Sequence, residues 1–312
     1  MKLSHLLESI KGFFQIQGSL NNQEAPAIPR KEMTAVTDEL DLDEDFEGEI
    51  PPSHAKLHIN VGYGLSVGKQ RNHNEDAYFT LTSTLTYNEN EVPFGLYIVA
   101  DGMGGHRNGE IASELAIRTL VEHILREIYN PLMGRNPQPG EHSFQEVFQL
   151  AIEEANDEII QNSYGGGTTV TAVLIIGEQM TIAHVGDSRI YSVDPEGNLE
   201  ALTRDHSLVK RLQELGQITS EEAAVHPQRN VLYRALGQGE PFEPEIISSS
   251  RPSSGGLLIC SDGLWSIVAQ NTLKQIINSS LTPQQTCDNL IDAANLAGGP
   301  DNISAIFVEF SS

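Results

Sequence analysis

Four short stretches place carboxylates where chemistry could be done. "NEDAYF" sets Glu75 and Asp76 at the mouth of a strand-like run. "LYIVADG" ends one on Asp101, "GLLICSDG" ends another on Asp262, and "GGPDNISAIF" opens the last with Asp301. A lone Asp-Gly is most simply a turn. Several such acids on coinciding strand rims are harder to dismiss. Two unit charges about 4 Å apart repel by ~1 kcal/mol in water and ~4 kcal/mol at an effective dielectric near 20. A cluster of this kind calls for cations, and all-oxygen ligation without His or Cys at zinc spacing selects Mg²⁺ or Mn²⁺. Two such ions side by side make a hydrolytic centre. Arg71, in "RNHNEDA" just ahead of Glu75, adds a planar fork suited to a phosphate; the plain alternative is a surface ion pair.

Strands must position these groups. Runs rich in β-branched and aromatic residues, bounded by turn residues, predict strands at 63–68, 77–82, 94–100, 168–176, 180–186, 189–194, 256–260 and 303–310. "DPEGN" at 194–198 reads as a hairpin turn. Helical periodicity marks 109–128 and 143–161, with a further helix at about 283–297. Two adjacent helices interrupting antiparallel-looking strands are unlike βαβ alternation, so two stacked sheets with helices outside is the economical α+β architecture.

The chain of 312 residues carries a net charge of -24, and Asp38–Glu49 holds eight acids without a base. That balance argues against nucleic-acid or anionic-membrane partners. Two cysteines, Cys260 and Cys287, make no disulfide framework, and a reducing, cytoplasmic setting follows. No apolar run reaches transmembrane length. Leu3, Leu6, Leu7, Ile10, Phe13 and Phe14 share one helical face within residues 1–16, either a docking helix or a frayed start. Residues 17–56 are expected to be a disordered acidic linker, with the folded domain at 57–312.

"RNHNEDA", "VADGMGGH", "GGTTV", "HVGDSRIY", "LTRDHSLV", "HPQRNVLYRALG", "LLICSDGLW" and "DNISAI" stand in the order of the metal-dependent Ser/Thr protein phosphatases of the protein phosphatase 2C type, bacterial branch. Over about residues 60–310 the chain resembles that family. The resemblance implies a four-layer αββα sandwich with a dinuclear Mg²⁺ or Mn²⁺ site. Asp101 would bridge the ions, Asp262 and Asp301 would complete one site, and Asp76 with the Gly102 carbonyl would serve the other. Glu75 would hold metal-bound water or ligate directly, Arg71 would bind the substrate phosphate, and a bridging hydroxide would attack phosphorus directly. Residues 206–229 resemble the family's flap. The implied substrates are phosphorylated proteins, with Ser/Thr kinases and their targets as partners, and the chain is expected to act as a monomer.

Some positions depart from the pattern. Met103 stands where animal members carry a proposed general-acid His, and Gly165 and Gly166 replace an acid that many bacterial members place before the "GTT" motif, which puts a third ion in question. Asp187 and Arg189 read as organisers of a hairpin, Thr168 and Thr169 as strand residues that could support the site, and His73 and His106, which flank the carboxylates, as solvated loop residues or else proton relays. A Bergerat-type ATPase needs Gly where Met103 stands, and a cysteine phosphatase needs Arg where Ser266 or Ala293 stands. The non-enzyme alternative, an inactive pseudophosphatase acting as a binding module, requires a missing ligand, and none is missing.

Overall fold

The computed structural model describes residues 58–87, 90–104, 107–133, 142–239 and 242–311. The helix and linker expected over 1–56, and His106, lie outside them. Among the described residues eleven strands form two sheets, and every pairing is antiparallel. The first has the order β1 (His58–Ser66), β11 (Ile303–Ser311), β10 (Gly255–Cys260), β7 (Arg189–Val193), β8 (Leu199–Ala201). The second runs β2 (Asp76–Tyr87), β3 (Asn90–Met103), β5 (Val170–Ile176), β6 (Gln179–Val185), β9 (Glu245–Ser250), with β4 (Gly167–Thr168) on the end of β3.

Alternation along β5 shows why four layers form. Val173 and Ile175 pack with Ile190, Leu257, Ile259, Ile306 and Val308 of the other sheet. Ala172, Leu174 and Ile176 point the opposite way, into the cluster beneath α1 (Arg107–Ile124) and the helix Phe144–Asn162. Every residue of β5 is therefore buried, as a strand covered on both faces requires. The first sheet buries its outer face, through Leu258, Cys260, Ala305 and Phe307, against the helix Pro283–Leu296. This is the expected αββα sandwich.

Following α1, a π-helical turn spans Leu125–Tyr129, so the helix expected over 109–128 is two pieces, followed by the short α2 (Asn130–Met133). The helix Phe144–Asn162, α3, starts at a capping box in which Ser143 and Glu146 each satisfy the other's backbone N–H. Between β8 and β9 lie α4 (Leu208–Glu214) and α5 (Ser220–Ala224); after β10 come α6 (Asp262–Trp265), α7 (Gln270–Ser279) and α8 (Pro283–Leu296). The turn at 194–198 is present, with Gly197 N–H donating to the Asp194 carbonyl at a positive φ of 77°. Unpredicted elements are the short or polar ones: β8, β9 with its "SSS" end, and the helices α4 to α7.

Candidate metal centre

Strand register gathers the acids. Cys260, the last residue of β10, pairs with Ala305 on one side and with Arg189 on the other, while β1 ends by pairing Ser66 with Ile303. The residues just past these ends (Asp262, Asp301, Asp187 and the loop carrying Arg71) therefore share one rim of the first sheet. In the second sheet Asp76 opens β2 directly opposite Asp101 near the end of β3. The two rims meet at the same end of the sandwich, and the carboxylates feel one another.

Burial foremost, and then the charges of Asp76, Asp262, Asp187 and Asp301, hold the Asp101 carboxyl well above the usual carboxylate range. Asp76 is pushed up to about 7, first by burial and further by Asp262 and Asp301. Asp262 is pushed up to about 6 by burial and then by Asp301, and it lies close enough to Asp101 for one carboxyl to hydrogen-bond the other. Both carboxylate oxygens of Asp76 are buried without a hydrogen-bond partner. Ser261 and Ser304 stand near enough to soften its shift, yet neither closes a bond of ordinary geometry.

A buried carboxylate with two bare oxygens beside three more acids is a poor structural element and a good hard-cation ligand. The donor set fits divalent ions of the Mg²⁺ or Mn²⁺ class. Among the described residues no three His, Cys, Asp or Glu side chains yet enclose a common point as a finished cage would, so the ligands are gathered rather than closed.

The glycines after Asp101 and Asp262 are not turn residues. Gly102 lies in β3 and Gly263 in α6, neither at positive φ. A Cβ on Gly102 would collide with the backbone oxygens of Gly109 and Glu75, and one on Gly263 with the Asn302 carbonyl. Close backbone approach, needed to press the rims together, explains both. The Gly102 N–H donates to the Glu75 carbonyl at 3.1 Å, which also accepts the Ser113 hydroxyl at 2.6 Å. That fixes Glu75 beside Gly102.

Several side chains support the rim, and one of them, Asn302, escaped the sequence reading. Asn302 donates to the carbonyls of Val67 and His73 and accepts the Glu75 N–H at 2.8 Å, tying the Arg71 loop to the start of β11. Thr169 accepts the Asp101 N–H and donates its own to the Asp101 carbonyl, which Thr168 Oγ1 also contacts at 2.9 Å. His73 is an exposed loop residue, as expected, and also holds Glu75 Oε1 at 2.9 Å. Asp187, expected to organise a hairpin, is buried and raised well above its ordinary pKa by burial and then by Asp262. It belongs to the acid cluster. Its signal was the one used for the others: an acid beyond a strand end followed by a small residue.

Arg71 is half exposed and reaches Asp301 Oδ2 at 2.8 Å, so the ion pair it makes is with a candidate ligand. It lines a cleft of about 880 Å³ bounded by Asp187, Asp262 and Asp301 on one side and by Lys210, Gln213, Val225 and Arg229 on the other. The second wall is the predicted flap, built from α4 and α5. Arg189, by contrast, is closed on itself: a bidentate fork to Asp205 at 2.8 and 2.7 Å, a bond to Tyr191, and stacking 3.4 Å over Trp265.

The sequence profile described as "Protein phosphatase 2C" matches residues 62–303. The "Serine/threonine phosphatase stp" of Listeria monocytogenes is 38% identical over 248 residues, covering 78% of this chain and 92% of that protein. The "Protein phosphatase PhpP" of Streptococcus pneumoniae is 35% identical over 256 residues, 81% of this chain and 98% of its own. Among solved structures, the S. agalactiae serine/threonine phosphatase superposes with a TM-score of 0.68 at 33% identity, covering 81% of this chain and 99% of that one. The catalytic domain of the serine/threonine protein phosphatase PstP, in complex with two manganese ions, gives 0.67 at 28% identity, covering 82% of this chain and all of that one. The chain belongs to the protein phosphatase 2C family.

Proposed function

We propose that this chain removes phosphate from phosphoserine and phosphothreonine of proteins at the rim just described, with Asp76, Asp101, Asp262, Asp301, Glu75 and the Gly102 carbonyl holding Mg²⁺ or Mn²⁺. The observation that carries the assignment is the pair of bare, buried oxygens on Asp76 beside Asp101 and Asp262, two more buried carboxyls held above their ordinary range. Ions bound there supply the positive charge that steadies the phosphoryl oxygens and acidifies water for in-line attack. The chain's own residues do the rest. Arg71 presents its fork at the cleft mouth to orient the phosphate, with Asp301 holding the guanidinium in place. His73 and Asn302 hold Glu75 toward the rim, and Thr168 and Thr169 fix the backbone of Asp101.

Family membership and the full set of acids favour an active enzyme over the pseudophosphatase reading. Phosphoproteins are the substrates, and the proposal extends to Ser/Thr kinases and their targets, in line with the phosphatases this chain is similar to. All the proposed site residues come from one chain, so a monomer suffices for turnover. Among the described residues no helix is long and apolar enough to cross a membrane. Cys260 and Cys287 are buried free thiols, which supports a cytoplasmic setting.

The purified chain should hydrolyse a phosphothreonine peptide with Mn²⁺ and stop on addition of EDTA. Undiminished turnover in Asp262→Ala would refute the site assignment.

A further inference from the structure

The far end of β2 is an unguarded sheet edge. β2 ends the second sheet, and among the described residues no strand pairs with its outer side. Natural edges are usually blunted by charge, proline or shortness. Of the other edges, β8 has three residues and carries Glu200, β9 begins at Glu245, and β1, nine residues without an acid, a lysine, an arginine or a proline, is the shorter of the two uncharged edges and lies so close to the helix Pro283–Leu296 that its Gly62 and Gly64 leave no room for a Cβ. β2 is 12 residues long and, after Asp76, holds neither a charge nor a proline through Tyr87.

Its sequence is also self-complementary. Thr80-Leu81-Thr82-Ser83-Thr84-Leu85-Thr86 reads the same in both directions about Ser83. An antiparallel pair related by a two-fold axis sets each residue opposite its mirror position, which is the condition for an isologous interface. A two-fold at Ser83 would place Leu81 opposite Leu85 of a second copy and Thr82 opposite Thr84, each pair on the same face of the sheet. Leu81 and Leu85 already pack on the helix-side core, and Ser83 accepts the Tyr129 hydroxyl there at 3.2 Å. Thr82, Thr84 and Thr86 are exposed. Facing Thr pairs are among the favourable cross-strand combinations.

We propose that two copies of this chain associate edge to edge through β2, forming one sheet that runs through both. This revises the expected monomer without touching the site, because Asp76 is seven residues from Ser83, or roughly 23 Å of strand. Seven paired residues make a small interface, so association is weak and reversible, below about 1,200 Å² of buried surface.

The test is sedimentation of the full chain over a concentration series, with turnover of a small aryl phosphate as the check on folding. Wild type should pass from monomer to dimer and stop there, since pairing uses up both edges. Thr82→Lys with Thr84→Lys sets like charges opposite one another, as does Thr82→Glu with Thr84→Glu. Each double variant should self-associate at least tenfold more weakly, with turnover retained, and an equimolar mixture of the two should recover the dimer. Should Thr82, which bonds the Tyr97 hydroxyl at 2.8 Å, not accept these changes, single Thr84→Lys and Thr84→Glu variants carry the test in weaker form, since their like charges meet on the diagonal across the two-fold rather than directly opposite; each should still weaken association, and their mixture should restore it. A wild type that stays monomeric, a ladder of larger species, a Lys variant that pairs as well as wild type, or a mixture that fails to recover the dimer would each overturn the proposal.

Discussion

The carboxylate rim and the base of the flap lie side by side, and both bury charge, yet they are finished in opposite ways. At the rim, burial first and neighbouring acid charges second hold Asp76, Asp101 and Asp262 above the usual carboxylate range, and two oxygens have no partner. At the flap base, Arg189 spends its donors on Asp205 and Tyr191 and stacks on Trp265, whose indole N–H is taken by the Asp187 carbonyl. His184 and His206 stack beside it with ring centroids 4.9 Å apart, and each has a ring nitrogen bonded: His184 to Thr171 and the Arg204 carbonyl, His206 to the Gly186 N–H. Burial and polarity therefore do not separate the working region from the supporting one. Completion of the hydrogen bonding does, since two bare oxygens on one buried carboxylate call for a partner that the rim itself does not supply.

The largest effect should come from breaking the incomplete side. Asp101→Asn keeps the shape and removes the central charge, so turnover of a phosphothreonine peptide should fall by roughly a thousandfold or more, the range seen when an electrostatic element of a site is lost. The same variant without metal should be more stable than wild type, by on the order of 2 kcal/mol in urea denaturation, since a like charge has left a buried cluster. A metal-free Asp101→Asn that is less stable would mean the rim is held together by its own bonds after all. On the complete side the signs reverse. Arg189→Met strands Asp205, and removing one partner of a buried pair costs roughly 3–5 kcal/mol of stability. The protein that remains folded should lose far less turnover than Asp101→Asn does, and steady-state kinetics at low temperature would show it.

The same distinction explains what the sequence could reveal. The acids stood out because each follows or opens a strong β pattern, and Asp101 and Asp262 sit before glycines that backbone contact demands. Eight ordered motifs then carried the fold. Asn302 was invisible as a hub because its three bonds reach residues more than 200 positions away. Asp187 was assigned to a hairpin because nothing local shows that its strand end abuts Asp262. The elements α4, α5, α7 and β9 went unread because they are short or polar, and their placement comes from tertiary contact rather than from periodicity. Of Thr80–Thr86 only the part up to Thr82 was read, and only as a strand, since an open edge is visible only once the strand order is known.

A pH scan sharpens the comparison from the supporting side. Burial, above all, pushes His184 down to about 4 and His206 down to about 3, with Arg189 adding to the first and His184, Arg234 and Arg204 to the second; Asp205 opposes. Unfolded, both titrate near 6.5. Above pH 6.5 both states are neutral and the stability contribution is whole. As pH falls, the unfolded chain binds protons that the folded chain refuses, so stability is lost progressively until the folded values are reached. By pH 5 the loss is about 2 kcal/mol per histidine. The rim acids, raised on folding, act in the reverse sense, so the measurement is the difference in urea-denaturation slope with pH between wild type and a His184→Gln, His206→Gln variant. Equal slopes would show that the pair is not held neutral.

The smallest effect separates burial from pairing. Arg204 also makes an ion pair, with Glu214 on the flap, and its side chain is half exposed. Arg189 and Arg204 are thus the same residue type, each bonded to a carboxylate at the two ends of one short segment, and they differ in access to water. A pair in solvent is screened, and its charges gain little over hydration. Arg204→Gln should therefore cost at most about 1 kcal/mol, and raising salt should shrink even that, whereas the Arg189 variant should keep most of its loss in high salt. Should both variants cost the same, the base of the flap is held by its number of ion pairs rather than by the burial of one, and the contrast with the rim would have to be drawn on charge alone.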